Sequence, residues 1–383
     1  MKILYHHRIA SKDGQYVHIE EMLKSFRKHG HEVVVVGPSA VEKDDFGSEG
    51  GVVSLLKQYI PKFLYEIVEF GYALLVFIKL FKAVKQFKPD FIYERYNIYM
   101  PAGIWIKKLF KLQLILEVNS PLFDERSKFD GMSLTWLARW TERYTWNNAD
   151  HVLPVTQVLA ERIKREGVAE KCMTVIPNGI DPGKFYNHMG TDEAKTKLGI
   201  SGKLVLGFTG FMREWHGLEG VLDLLVGEGN ENRFLLLVGD GPAKKNIHKR
   251  AQELGIADRV LITGVVDRDK IADYVSAFDI ALQPDVVDYA SPLKLFEYLA
   301  LGRAIVAPEK NNILEVLTDR EDALLFEPDN KQAFVSAIEE LCVNTGLRNK
   351  VARNAKKLIT TKKFLWDNNA SRVIDIVADR SNL

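Results

Sequence analysis

The chain has 383 residues, 46% of them hydrophobic, which is enough for two α/β domains with buried cores. The formal net charge is +1, so no global field draws it to nucleic acid. The two cysteines, Cys172 and Cys342, lie far apart with no CxxC pair or zinc spacing, which points to a reducing, cytoplasmic compartment.

MKILYHH reads as a buried strand, and the charges that follow it at once exclude a secretory leader. A loop through Gly14 leads into a helix near 16–28, then the strand HEVVVVGP. Residues 57–88 carry six lysines against Glu66 and Glu69. Their uncharged core, 70–78, is too short to span a bilayer. Two readings stand. The first, preferred, is an amphipathic helix packed on its own domain with lysines outward. The second is peripheral contact with the inner face of an anionic membrane. Strands FIYER, LQLILEV and HVLPV follow, with helices between them, so the first half is a parallel sheet covered on both faces.

A second series starts near 203. KLVLGFTG, RFLLLVGDG, RVLITGVV, DIALQP and AIVAP alternate with helices near 217–226, 243–254 and 269–277. The linker falls near 182–202, and an amphipathic helix covers 364–379. The expectation is two Rossmann-like, doubly wound parallel-sheet domains facing a central cleft. Their bounds are 1–185, with the terminal helix 364–383 returning to it, and 186–363.

In open parallel sheets, ligands sit at the carboxyl ends of strands. The run SPLKLFEYLALGRAIVA, 291–307, has the chemistry of such a place. Ser291 reads as an N-cap and Pro292 as a first-turn residue. The amides of Leu293 and Lys294 then lack intrahelical acceptors and face outward with the helix dipole, which suits a phosphate. Lys294 adds a charge. Glu297 suits the paired hydroxyls of a ribose. A Lys294–Glu297 surface ion pair accounts for the same residues, and the local chemistry leaves both readings open.

The TGFMREWHG loop offers Gly210, Arg213 and His216, the last charged beside an anion. LVGDGP ends a strand with the turn at Gly239. In TGVVDRD, Asp267 and Asp269 read as helix-start residues rather than metal ligands, and the backbone of Gly264–Val266 is placed to meet a base. Gly14 permits close approach of a ligand, and no GxGxxG follows the first strand, which disfavours a nicotinamide fold. In the strand-end segment EVNSPLFDER, Glu117, Asn119, Glu125 and Arg126 are candidates, some of which only fix the loop.

These segments, with ADHVLPVTQVLAERI and VIPNGIDPGKF, resemble in order and spacing the retaining, nucleotide-sugar-dependent glycosyltransferases of family 4, of GT-B architecture. The resemblance implies transfer of a sugar from a nucleoside-diphosphate sugar to a hydroxyl of a sugar, glycan or lipid-linked acceptor. The donor is a co-substrate, and neither a metal nor another cofactor is implied. By resemblance Glu297 binds ribose, while the amides of Leu293 and Lys294 bind diphosphate. The Arg and Lys of the 210–217 loop are replaced by Phe211 and His216, so the arginine role passes to Arg213. Gly14 lies beside the diphosphate and acceptor. The glutamate expected eight residues before Glu297 is Tyr289, with Asp288 as its neighbouring substitute, and a histidine near the reacting carbon is replaced by Asn119. An epimerase, a phosphorylase-like enzyme and a non-catalytic binding subunit of the same architecture are the alternatives. Donor base, sugar, acceptor and oligomeric state stay open.

Overall fold

In the computed structural model the described residues are 1–9, 14–38, 60–129, 131–185 and 189–381. Parts of the expected 57–88 helix, the linker and the last segment (57–59, 186–188 and 382–383) lie outside them. The chain forms two compact units. The first comprises Met1–Pro177, Tyr289–Ser291 and Trp366–Leu383; the second comprises Asn178–Asp288 and Pro292–Leu365. The first unit ends earlier than residue 185, because Ile180 forms a bridge with Leu365 in the second.

The first unit carries β1 (Lys2–His6), α1 (Gly14–Lys28), β2 (Glu32–Val36), α2 (Lys62–Phe87), β3 (Phe91–Arg95), α3 (Ala102–Phe110), β4 (Gln113–Val118), α4 (Leu122–Phe129), α5 (Thr135–Asn148), β5 (His151–Pro154) and α6 (Gln157–Arg165). Its sheet is parallel, in the order β2-β1-β3-β4-β5. The strands read as near-continuous apolar runs because helices cover both faces. Leu4, Ile92, Leu114 and Leu116 pack on one face with Val76, Leu80, Val84 and Ile104.

In the second unit come α7 (Pro182–Phe185), α8 (Thr191–Lys197), β6 (Leu204–Thr209), β7 (Arg233–Val238), α9 (Lys244–Glu253), β8 (Val260–Ile262), α10 (Ile271–Ser276), β9 (Ile280–Leu282), α11 (Leu293–Ala300), β10 (Ala304–Pro308), α12 (Asn311–Leu314), β11 (Leu324–Phe326), α13 (Lys331–Val343) and α14 (Thr345–Thr361). Its six strands are parallel in the order β11-β10-β9-β6-β7-β8. That is the doubly wound order, with its topological switch between β6 and β9.

The last helix, α15 (Trp366–Ser381), belongs to the first unit and packs on α1: Trp366 meets the ring of His18 edge-on at 4.8 Å, and Asp367 pairs with Lys28.

Two expectations change. Residues Leu218–Leu225 wind as 3-10 turns rather than the α-helix expected near 217–226. They lie between Gly217, at φ 64°, and Gly227, at φ 105°, whose left-handed backbone bounds the segment at both ends. The second concerns α2. Its lysines point outward as expected, Lys62, Lys82 and Lys85 being exposed, but they do not make up the outward face: along its first four turns that side is otherwise apolar, and Glu66 and Glu69 are buried.

Candidate active site

Three strand-end loops are knitted together in the second unit. The amide of Gly210 donates to Val238 O (2.9 Å) and that of Met212 to Asp240 O (2.8 Å). Gly239 bridges Gly264, tying the β8 loop to the other two. The glycines are required by contact. A Cβ on Gly239, at φ 142°, would stand 2.1 Å from Gly210 O, and one on Gly241, at φ 153°, would stand 2.2 Å from Met212 O.

At the switch point these loops meet the start of α11. Pro292, not Ser291, holds the N-cap position, and no side chain caps the helix. A proline has no hydroxyl to accept from the first turn. Ser291 is buried beside it. The first inward bond runs from Leu295 N to Pro292 O (3.1 Å); the amides of Leu293 and Lys294 donate to nothing among the described residues. Lys294 sends its ammonium 4.0 Å from the Phe208 ring centroid, under Gly210, where a Cβ would sit 3.3 Å from Nζ. Loss of hydration there lowers the ammonium pKa to about 7.

Glu297 is only 6% exposed. Burial raises its carboxyl pKa against the pull of Arg268 and Lys294. Among the described residues it has neither a hydrogen bond nor an ion pair, so the Lys294–Glu297 surface pair does not form. A buried carboxylate without partners is costly, and it is retained here with its acceptor oxygens unused.

His216 is buried and accepts from Arg213 N through Nδ1 at 3.1 Å. Burial, then the charges of Lys294 and Arg213, lower its pKa to about 3. It is therefore neutral in the unligated chain, not charged, and its Nε2–H is the donor it can offer. Arg213 is exposed, with its guanidinium 5.2 Å from the Phe211 ring centroid. Gly264 and Val266 lie at the end of the β8 loop, with Asp267 at the N-cap of the following 3-10 turn and Asp269 within it.

Arg268 was not anticipated. Among the described residues its buried Nε has no hydrogen-bond partner, and its charge reaches Glu297. The flanking aspartates had drawn the sequence reading toward helix capping; the signal available was a cation two residues past Val266 on a strand-end loop.

In the first unit, Glu117 is a buried hub. It accepts from Tyr93 Oη (2.7 Å), Arg95 Nη1 (2.6 Å) and the side-chain amide of Asn119, and His18 Nδ1 lies 3.1 Å away. Burial acts upward on its pKa, but His18, Arg95 and the hydrogen bonds outweigh it and hold it below the usual range. His18 is itself lowered to about 4, mainly by burial, so at neutral pH Arg95 and the hydrogen bonds are what remain. Asn119 is thus fixed in place at the end of β4. Arg126 pairs with Glu69 at 2.9 Å. Tyr289 is 8% exposed, donates its hydroxyl to Glu125, and has the Arg162 guanidinium 5.2 Å from its ring centroid. Asp288 is exposed. Gly14 opens α1, next to residues outside the described set.

The chain matches two family models: Glycosyltransferase Family 4 over residues 12–184, and Glycosyl transferases group 1 over 190–358. An uncharacterized glycosyltransferase of Methanocaldococcus jannaschii is 25% identical over 268 residues, 69% of this chain and 67% of that protein. The alpha-D-kanosaminyltransferase of Streptomyces kanamyceticus is 23% identical over 235 residues, 60% of each chain. Among solved structures, Anabaena HepE in complex with UDP and glucose superposes with TM-score 0.75 at 18% identity, covering 99% of this chain and 100% of that one.

Proposed function

The chain belongs to the family 4 glycosyltransferases of GT-B fold, and from that premise we propose that it transfers a sugar from a nucleoside-diphosphate sugar to an acceptor hydroxyl with retention of configuration. One observation carries the reading. At the switch point of the second sheet, Lys294 and two helix-start amides with no described acceptor stand at the start of the helix that carries Glu297, a buried carboxylate held by no hydrogen bond or ion pair among the described residues, and Arg213 lies on the adjoining loop beside His216. Cations and amides suit a diphosphate, and the carboxylate suits the two hydroxyls of a ribose. The UDP bound to Anabaena HepE, a protein of like fold, supports a nucleotide donor.

In this reading the bond from the anomeric carbon to the diphosphate breaks while the acceptor oxygen bonds that carbon from the same face. The acceptor proton passes to the departing phosphate oxygen. Lys294, Arg213, the amides of Leu293 and Lys294, and the Nε2–H of His216 stabilise the charge that develops there, a role worth roughly two to three orders of magnitude per donor. No metal is needed for it. Gly210, Gly239, Gly264 and Val266 bring backbone close to the nucleotide, with Ser291 beside the diphosphate. Asn119 and Gly14 in the first unit serve the acceptor side. Tyr289 is engaged with Glu125, and its exposed neighbour Asp288 is the acid proposed to meet the donor sugar.

The test is a thermal-shift and turnover screen with UDP-, GDP- and ADP-sugars. At least one nucleotide should raise the melting temperature. Glu297→Gln should weaken that nucleotide by roughly tenfold or more while changing the stability of the unligated chain little, because the cost of burying the carboxylate and the attraction of Arg268 and Lys294 are lost together. No stabilisation by any nucleotide would overturn the reading. Consumption of donor without an acceptor would replace transfer by rearrangement of the donor, and an inverted product would remove retention alone.

A further inference from the structure

The exposed side of α2 is unusual for a surface helix. One stripe, Glu66, Glu69, Ala73, Val76, Leu80 and Val84, faces the sheet. The opposite stripe is also apolar: Leu64, Ile67, Val68, Leu74, Leu75 and Ile78 are all exposed, Val68 at 53% and Leu74 at 59%. A helix apolar on every side is expected to be covered on every side. From Phe63 to Ile78 this stripe runs ~22 Å along the axis.

The apolar surface continues onto neighbouring helices. Trp140 of α5 meets Phe70 at 6.3 Å between centroids, and Phe70 and Phe77 both meet Trp105 of α3, at 6.5 and 6.3 Å. One turn from Trp140, Trp136 is 69% exposed. The two tryptophans line a groove of about 370 Å³ with Arg139, Arg143 and Tyr144.

The exposed charges of α2 itself have one sign, while Arg139 and Arg143 beside the groove both pair with Glu166. From residue 62 to 88 the only acids are Glu66 and Glu69, and both are buried. Glu66 accepts from the amides of Ser133 and Leu134, and Glu69 from Arg8 and Arg126, so both are engaged inward. Outward, the apolar stripe gives way to Lys82 and Lys85, both exposed. No helix among the described residues is long and apolar enough to cross a membrane.

We propose that the exposed face of α2, flanked by Trp136 and Trp140, docks on the surface of an anionic lipid bilayer. Aliphatic side chains enter the headgroup boundary, tryptophans sit at the interface, and the lysines meet lipid phosphates. A second copy of this chain is the weaker occupant, because self-association would bring Lys82 and Lys85 against a face that exposes no carboxylate. The proposal goes beyond sugar transfer and does not depend on the donor site.

Co-sedimentation of the full chain with vesicles tests it, using phosphatidylcholine alone and phosphatidylcholine with phosphatidylglycerol, with light scattering of the free protein alongside. The wild type should sediment with the anionic vesicles, less so at high salt. Leu74→Asp/Leu75→Asp should weaken partitioning roughly tenfold or more without changing the melting temperature, since both side chains are exposed. Trp140→Ala, on a different helix, should weaken it as well. Lys82→Ser/Lys85→Ser should reduce the preference for phosphatidylglycerol. The proposal is overturned if the wild type stays in the supernatant, if the leucine variant sediments unchanged, or if the leucine variant only converts a dimer to a monomer.

Discussion

At the level of single residues, Lys294 governs how the donor site responds to pH. Its pKa of about 7 means the ammonium is largely neutral at pH 8 in the unligated chain. A bound diphosphate favours the charged form, so binding at pH 8 should take up close to one proton, ~0.9 at most for that pKa. Calorimetry in two buffers of different ionisation enthalpy measures this uptake; it should vanish in Lys294→Met. A wild type that binds nucleotide without taking up a proton would contradict the assignment. For stability the sign is opposite to that of a stabilising pair. The folded pKa lies below the unfolded value, so the cost of burying Lys294 is fullest below pH 7 and is relieved as pH rises toward 10. The sequence showed Lys294 and Glu297 as either an ion pair or a ligand site. It could not separate the two, because the choice depends on burial of Glu297 and on Phe208 beneath the ammonium, both long-range effects. For His216, neutrality in the unligated chain comes first from burial, a long-range effect, and then from Lys294 and Arg213, of which only Arg213 is written in the loop itself.

At the level of elements, α2 shows what periodicity can and cannot reveal. Its length and its packing on the sheet follow from the apolar spacing, but two opposite stripes are equally apolar, so the pattern alone does not say which faces inward. The acids decide it, against the usual rule that charges point out. Glu66, 1% exposed, accepts from Ser133 N (2.9 Å) and Leu134 N (2.6 Å) just before α5 begins, so it serves that helix as a cap supplied from another element. Glu66→Ala should cost about 1–2 kcal/mol. Chemical denaturation should show the loss in the first unit, with nucleotide affinity unchanged; a variant as stable as wild type would deny the capping role. The strands, by contrast, were read directly, because runs such as EVVVV and RFLLLV have few other homes than a sheet covered on both sides.

At the level of the whole molecule, two parallel sheets with their own cores imply that a ligand of one unit need not stiffen the other. Hydrogen exchange with a bound nucleotide should slow at 209–217, 239–243, 263–268 and 291–297. The slowing should follow the local opening free energies rather than spread evenly. Protection centred instead on the Glu117 hub of the first unit would move the donor site there. The two-sheet organisation was legible from the order of strands and helices. The return of residues 289–291 to the first unit was not, since it depends on Tyr289 finding Glu125 and on Thr156 reaching Tyr289 O at 2.8 Å. The packing of α15 on α1 carries a consequence for biosynthesis. As the ribosome delivers the polypeptide, the unit encoded first stays unfinished while the unit encoded second is made, because its covering helix, residues 366–381, emerges last. The earlier-encoded domain therefore leaves His18 on α1 uncovered until Trp366 arrives.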